Sequence, residues 1–276
     1  MPDKAFKKQL EEIKDGRRCE LLVPDAEIRG VAEIPTTPEW APFRAKITRI
    51  NFAHNKLSSI PESLAESLSN LEYLNFSNNH INQLPTNIST LPRLKYLNLS
   101  YNRLDSLPRG FGAFPALEIL DVSYNNISEH TLPKNFYMLA PTLRALYISD
   151  NDFEVLPEEI LRLINLKVLA LRGNDLISLP DEFEAFTKLV ELYLDYNRLQ
   201  ILPPSLARVP SLADPQEGIF RASENPWISQ LADQFQRGNF QVFSFIQTEM
   251  YANIWTAYKP QKLPRPDKSK KSSRRV

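Results

Sequence analysis

From residue 47 onward, apolar side chains return on a fixed beat. In residues 94–107, LKYLNLSYNRLDSL, leucine occupies places one, four, six, eleven and fourteen, and Asn102 occupies place nine. Near-copies begin at Ile47, Leu71, Leu94, Leu117, Leu143, Leu166 and Leu189, separated by 24, 23, 23, 26, 23 and 23 residues. Side chains alternate between the two faces of a strand, so places four and six of each copy enter a core while three and five face out. Place fifteen is proline at Pro61, Pro85, Pro108, Pro157, Pro180 and Pro203, which fixes the backbone where the chain leaves the strand side. Apolar residues recur at places eighteen and twenty-one, as in Ile88 with Leu91 and Phe183 with Phe186. That spacing predicts 3₁₀ or short helical turns.

One copy cannot bury its apolar face alone, whereas stacked copies share a continuous core. Period and consensus are those of leucine-rich repeats. The predicted fold is α/β: a leucine-rich repeat solenoid curved as a right-handed horseshoe, with a parallel sheet on the concave side, 3₁₀ or short helical turns on the convex side, and helical caps at both ends. The place-nine residues Asn55, Asn79, Asn102, Asn125, Asn151, Asn174 and Asn197 end the strands. Their amides are expected to bond backbone groups of the bend in their own repeat and in the next, forming a structural ladder.

The ends depart from the template. Residues 1–46 read as an N-terminal helix with Phe6, Leu10 and Ile13 on one face, followed by a degenerate capping repeat that keeps Val31, Ile34 and Pro35; Trp40 and Phe43 are expected to pack back on it. Residues 47–211 carry the seven repeats. The copy from Leu117 has extra residues and predicts a bulge at residues 128–131. Residues 212–258 read as a helical cap, Asn225-Pro226 starting a helix and Trp227, Leu231, Phe235, Phe243, Ile246, Met250, Ile254 and Trp255 forming its apolar stripe. Residues 259–276, with eight basic residues and one acid, have almost nothing to bury and are expected to be a disordered basic tail.

Charge is balanced at 33 basic and 33 acidic residues, which gives no prior for nucleic acid. A single cysteine, Cys19, cannot form the internal bridges that close secreted repeats. No apolar run approaches the ~20 residues of a membrane span, and the first residues lack a signal-peptide core, so an intracellular, soluble chain without stable membrane insertion is expected. The three histidines, His54, His80 and His130, fall in different columns. Metal-ligand spacing, a P-loop and a dinucleotide fingerprint are missing, so neither enzyme chemistry nor a cofactor or bound metal is expected.

Binding is better supported. Outward places two, three, five, seven and eight would hold one to two tyrosines by chance, yet they hold seven of the ten: Tyr73, Tyr96, Tyr101, Tyr124, Tyr147, Tyr193 and Tyr196. A phenol combines a broad apolar ring with a hydrogen-bonding tip, which suits contact with another protein. With Asp121, Arg144, Asp150 and Arg172 they form the candidate protein-binding site on the concave face. The mixed charge there favours a folded protein over nucleic acid.

Several segments are similar to one family: residues 102–128 (NRLDSLPRGFGAFPALEILDVSYNNIS), 142–157 (TLRALYISDNDFEVLP), 171–180 (LRGNDLISLP) and 220–235 (FRASENPWISQLADQF). The chain resembles the Ras suppressor family of intracellular leucine-rich repeat proteins at cell adhesions. The KKQLEEIK start and DKSKKSSRR end are also similar, whereas residues 20–46 and 252–266 depart from the pattern. The resemblance implies a noncatalytic scaffold that binds the last LIM domain of the adaptor PINCH through its concave face, and through it integrin-linked kinase and parvin. It further implies a monomer before complex formation, a cytoplasmic place at cell-matrix adhesions, and effects on Ras-linked signalling, adhesion and spreading. The basic tail adds a nuclear address as an option. The alternative reading is a regulatory or targeting subunit that grips a GTPase, kinase or phosphatase catalytic subunit.

Overall fold

The computed structural model describes residues 4–28, 41–214 and 216–258. Contacts divide the chain into two compact units, Met1–Leu143 and Arg144–Val276. In the first, β1 (Glu20–Leu22), β2 (Arg49–Asn51), β3 (Tyr73–Asn75), β4 (Tyr96–Asn98) and β5 (Ile119–Asp121) pair in parallel and in sequence order. In the second, β6 (Ala145–Tyr147), β7 (Val168–Ala170), β8 (Glu191–Tyr193) and β9 (Ile219–Arg221) do the same. The alternation holds in both. Place-four Leu74, Leu97, Leu169 and Leu192 and place-six Phe76, Leu99, Leu171 and Leu194 are completely buried, each contributing about 2 kcal/mol.

After place six the chain bends sharply. At place eight Asp25, His54, Asn78, Tyr101, Tyr124, Asp150, Gly173, Tyr196 and Glu224 all take positive φ, between 51° and 71°. The place-nine asparagine follows that left-handed corner. Asn125 donates from Nδ2 to the carbonyls of Val122 and Ser123 in its own repeat and of Leu99 in the repeat before, at 3.0, 3.2 and 3.0 Å. Its Oδ1 accepts from Leu104 N–H at 2.9 Å. Asn55, Asn79, Asn102, Asn174 and Asn197 make equivalent bonds to the preceding repeat, and Asn151 bonds the Ile148 and Ser149 carbonyls of its own. The ladder therefore reaches backward, not to the following repeat as expected. The bend presents its place-six carbonyl and place-eleven N–H to the asparagine that comes next in the chain, and leaving such a buried group unpaired costs about 1–3 kcal/mol.

The far side is built from 3₁₀ turns, including Ile88–Thr90, Phe111–Ala113 and Phe136–Leu139 in the first unit and Glu158–Arg162, Phe183–Ala185 and Pro204–Arg208 in the second. One repeat instead makes a short α-helix, α2 (Ser63–Ser67). Close stacking sets Gly112, where a Cβ would lie 1.7 Å from the Asn135 carbonyl oxygen. The extra residues of the fourth copy form a 3₁₀ turn, Glu129–Thr131, closed by Ser128 N–H donating to Thr131 Oγ1 at 3.0 Å.

At the N-terminal end, α1 (Lys4–Lys14) half-buries Leu10 and fully buries Ile13. The side chain of Phe6, and all of Val31, Ile34, Pro35, Trp40 and the basic tail, lie outside the described residues. Phe43 is half-buried beneath the ammonium of Lys46, 5.4 Å from its ring centre.

At the other end, α3 (Pro210–Ala213) precedes β9, a ninth strand within the segment that reads as purely helical. Phe220 and Ala222 take places four and six there. Asn225 is an eighth ladder residue, donating to Leu194, Ala222 and Ser223 carbonyls and accepting from Leu199 N–H. It does not start a helix: α4 (Ser229–Arg237) begins four residues later, followed by α5 (Asn239–Ile246) and α6 (Glu249–Ala257). Leu231, Phe243 and Ile246 are buried as expected, but Met250 is 58% exposed. Its neighbour Tyr251 takes the interior instead, because that phenol finds backbone partners there.

Candidate protein-binding face

In the first unit the strand register aligns outward residues in rows. Place three carries Arg49, Tyr73, Tyr96 and Ile119; place five carries Asn51, Asn75, Asn98 and Asp121. Tyr73 and Tyr96 stack with ring centres 4.4 Å apart and planes 6° from parallel. The Arg49 guanidinium lies 4.2 Å from the Tyr73 ring centre and pairs with Glu20 at 3.2 Å.

Each place-five Oδ1 accepts the N–H two residues on, from Ala53, Ser77, Ser100 and Ser123, at 2.8 to 2.9 Å. This local bond opens the bend and fixes the side chain. Asp121 alone brings a carboxyl to the row. Burial raises its pKa above the usual carboxylate range, partly opposed by the Ser123 N–H. Burial likewise raises the Tyr96 phenol, against the bond it accepts from Asn98 at 3.2 Å. At place eight Tyr101 and Tyr124 stack at 3.9 Å, with Tyr101 41% exposed.

In the second unit Arg144 stands at place two, where its carbonyl accepts Lys167 and Val168 N–H. Tyr147 is half-buried at place five of β6. Asp150 pairs with Arg172 at 3.4 Å, and the Arg172 guanidinium sits 4.8 Å from the ring centre of Tyr196. Gly173 leaves room beside them: its φ is +71°, and a Cβ would meet Asp150 Oδ1 at 2.5 Å and displace that carboxylate. Tyr193 donates to Glu191 Oε2 at 2.7 Å. Burial, together with that hydrogen bond, pushes its phenol up to about 12.

All eleven candidate residues thus lie on the strand side of their own unit. Seven of them gather as the Tyr73–Tyr96 pair, the Tyr101–Tyr124 pair and the chain from Asp150 through Arg172 to Tyr196, whereas Asp121, Arg144, Tyr147 and Tyr193 belong to none of these groups. The sequence places Arg49 and Glu191 among the charges of this face but not among the binding residues, and sequence reasoning missed Arg221, whose guanidinium lies 5.8 Å from the Tyr193 ring centre. It also missed a cavity of about 690 Å³ in the second unit, where Tyr193, Tyr196 and Arg221 meet Trp227 and Phe235. Trp227 stacks on Phe235 at 4.9 Å and donates its indole N–H to the Ala222 carbonyl. The signal was present: Phe220, Ala222 and Asn225 continue the four-six-nine spacing and put Arg221 at outward place five.

For catalysis the geometry offers little. His54 and His80, from different columns, border a common cavity of about 340 Å³ with Asp25, whose Oδ1 lies 4.0 Å from His54 Nδ1. Among the described residues, no three His, Cys, Asp or Glu side chains are grouped to hold a metal, and no helix is long and apolar enough to cross a membrane. Cys19 is an exposed free thiol.

Leucine rich repeat family models match residues 45–104, 85–127, 116–139 and 141–199. Ras suppressor protein 1 of Homo sapiens and that of Bos taurus are each 48% identical over 277 aligned residues, spanning 99% of this chain and 97% of theirs. Among solved structures, a leucine-rich repeat protein of Leptospira interrogans aligns with TM-score 0.61 and 26% identity, over 82% of this chain and 65% of that one. A chain of the Drosophila Toll–Spatzle complex aligns with TM-score 0.57 and 26% identity, over 66% of this chain and 25% of its own. By repeat models that reach from residue 45 to 199 and relatives matched along nearly its whole length, the chain belongs to the leucine-rich repeat proteins, within the Ras suppressor family.

Proposed function

We propose that this protein is a noncatalytic adhesion scaffold whose strand-face tyrosines bind a LIM domain of the adaptor PINCH. Through that adaptor it joins integrin-linked kinase and parvin at cytoplasmic adhesions and modulates Ras-linked signalling and spreading. The observation that carries the reading is the left-handed backbone of Tyr101, Tyr124 and Tyr196. A bulky residue there is strained, and glycine, asparagine or aspartate is the comfortable choice, as at Gly173, Asn78 and Asp150. Ring stacking of Tyr101 on Tyr124 and of Arg172 on Tyr196 offsets part of that strain, and strained side chains of this kind gather at binding surfaces.

The test is calorimetry of the full chain with the last LIM domain of PINCH. Wild type should bind, while Tyr124→Glu and Tyr147→Glu should each weaken binding by about tenfold or more, as expected for buried aromatic anchors, with unchanged circular dichroism. Undiminished binding by both variants removes the strand face from the interaction. Affinity purification yielding mainly GTPase, kinase or phosphatase catalytic subunits would replace the LIM partner with the regulatory-subunit reading.

A further inference from the structure

The last strand borders a groove that runs past the strand-face tyrosines. Beyond the cavity of about 690 Å³ between Tyr193, Tyr196, Trp227 and Phe235 lies a second, of about 210 Å³, lined by Leu212, Ile219, Phe240 and Phe243. Phe220, Arg221 and Asn239 line both, so the two are halves of one groove with these residues as the sill between them. Its floor is a continuous chain of rings: Trp227, Phe235, Phe220 and Phe243 follow one another at 4.9, 6.3 and 5.1 Å between centres. Around the smaller half, Ile219 is 42% and Phe240 59% exposed. Two large apolar side chains left to solvent around one cleft mark a surface that a partner covers.

Backbone and charge narrow the occupant. Ile219 N–H and the Arg221 carbonyl bond to β8, so the Phe220 carbonyl faces the free edge of the sheet. Asn239 Nδ2 donates to it at 2.8 Å, which blocks pairing with an added strand there and leaves recognition to side chains. Arg221 stands exposed on the sill, its guanidinium 5.8 Å from the Tyr193 ring centre. Among the described residues it has no carboxylate within ion-pair distance, unlike Arg49, Arg172 and Arg208. Of the carboxylates lining the groove, Asp195 accepts Ser223 N–H and hydroxyl at 3.0 and 2.7 Å, and Glu224 belongs to the place-eight corner farther along the chain. The sill is therefore cationic, and the floor on either side of it is aromatic.

We propose that this groove binds a linear segment of a partner protein in which an acidic side chain lies between two apolar ones. The carboxylate meets the Arg221 guanidinium, which the Tyr193 ring helps to orient. One apolar side chain enters the larger half against Trp227 and Phe235, and the other covers Ile219 and Phe240. Such recognition does not require that the partner be a LIM domain.

Heteronuclear NMR of the full chain tests this with a capped tetrapeptide of phenylalanine, two aspartates and leucine. The Trp227 indole N–H and the Phe240 amide should shift saturably, with half-saturation at about 1 mM or below, the range of a weak linear contact. The same peptide with lysines in place of the aspartates should bind more weakly by about threefold or more. Arg221→Gln should lower affinity for the aspartate peptide by about threefold, the size expected of an exposed ion pair. Arg221→Glu should reverse the preference, so that the lysine peptide binds better. Phe240→Ser, at an exposed position, should also weaken the aspartate peptide while leaving the thermal transition in place. No saturable shift, equal binding of both peptides, shifts at other residues only, or unchanged affinity in Arg221→Gln overturns the proposal. Concentration-dependent shifts of the same two signals in the protein alone also overturn it, by assigning the groove to a second copy. Arg221 and Phe240 are not among the eleven strand-face candidates, and LIM-domain binding is measured separately, so failure here leaves the proposed function to its own test.

Discussion

At the scale of single residues, Asp121 differs from its row in one respect. Asn51, Asn75 and Asn98 make the same bond to the bend without charge. A carboxyl held above its ordinary pKa by burial disfavours its charged form in the folded state. Its contribution is therefore greatest below the unfolded carboxylate pKa and is lost as pH rises through the raised folded value. Asp121→Asn keeps the Oδ1 acceptor and removes the charge. The melting temperature at pH 7 should rise by about 1–2 °C, a size expected for a fraction of a kcal/mol in a chain this long. Near pH 3, where the aspartate is protonated, the two proteins should melt together. An equal or lower melting temperature for the variant at pH 7 would show that the charge is not a burden on the fold.

At the scale of elements, both ends of the array need more than apolar cover, because a terminal repeat leaves backbone groups without a neighbour. Gln9 of α1 donates to Leu22 carbonyl at 2.6 Å and accepts Leu22 N–H at 2.8 Å, so one amide replaces a missing strand. Tyr251 of α6 does the same at Leu202, accepting its N–H at 3.0 Å and donating to its carbonyl at 2.7 Å. Burial raises that phenol well above the usual tyrosine range, which keeps the donor proton in place. Tyr251→Phe preserves the ring and strands both backbone groups. Chemical denaturation should show a loss of about 1–3 kcal/mol, the cost of a buried group left unpaired. A loss below 0.5 kcal/mol would mean that water replaces the hydroxyl, on the order of an exposed-site change.

The same two residues show what a repeat pattern can and cannot convey. Strand positions, buried places and 3₁₀ turns follow from spacing, because each rests on local alternation or on proline geometry. Gln9, Tyr251 and the backward direction of the ladder depend on which backbone groups lie open in three dimensions, and no periodicity encodes that. Asn225 was hidden by weak neighbours: Glu217 stands where the template has a leucine, although Phe220 and Ala222 keep their places. On the candidate face the tyrosines were legible from position. The left-handed corners that make three of them costly were not, since a consensus records side chains and not φ.

At the scale of the whole molecule, charge decides what kind of partner the strand face suits. The chain is formally neutral, and its outward charges are mixed and largely engaged with one another, as in Lys95–Glu72 at 3.0 Å, Arg49–Glu20 at 3.2 Å and Arg172–Asp150 at 3.4 Å. Such pairs add little affinity individually and are screened over about 8–10 Å at ordinary ionic strength. Binding carried by stacked phenols should therefore weaken by less than about tenfold when salt rises from 50 to 200 mM, a range over which six to ten phosphate contacts would cost ~10³–10⁵. Titrating the LIM domain at several salt concentrations measures that slope directly. A steep fall would assign the interaction to arginine and lysine contacts, and the tyrosine corners would then need another reason to bear their strain.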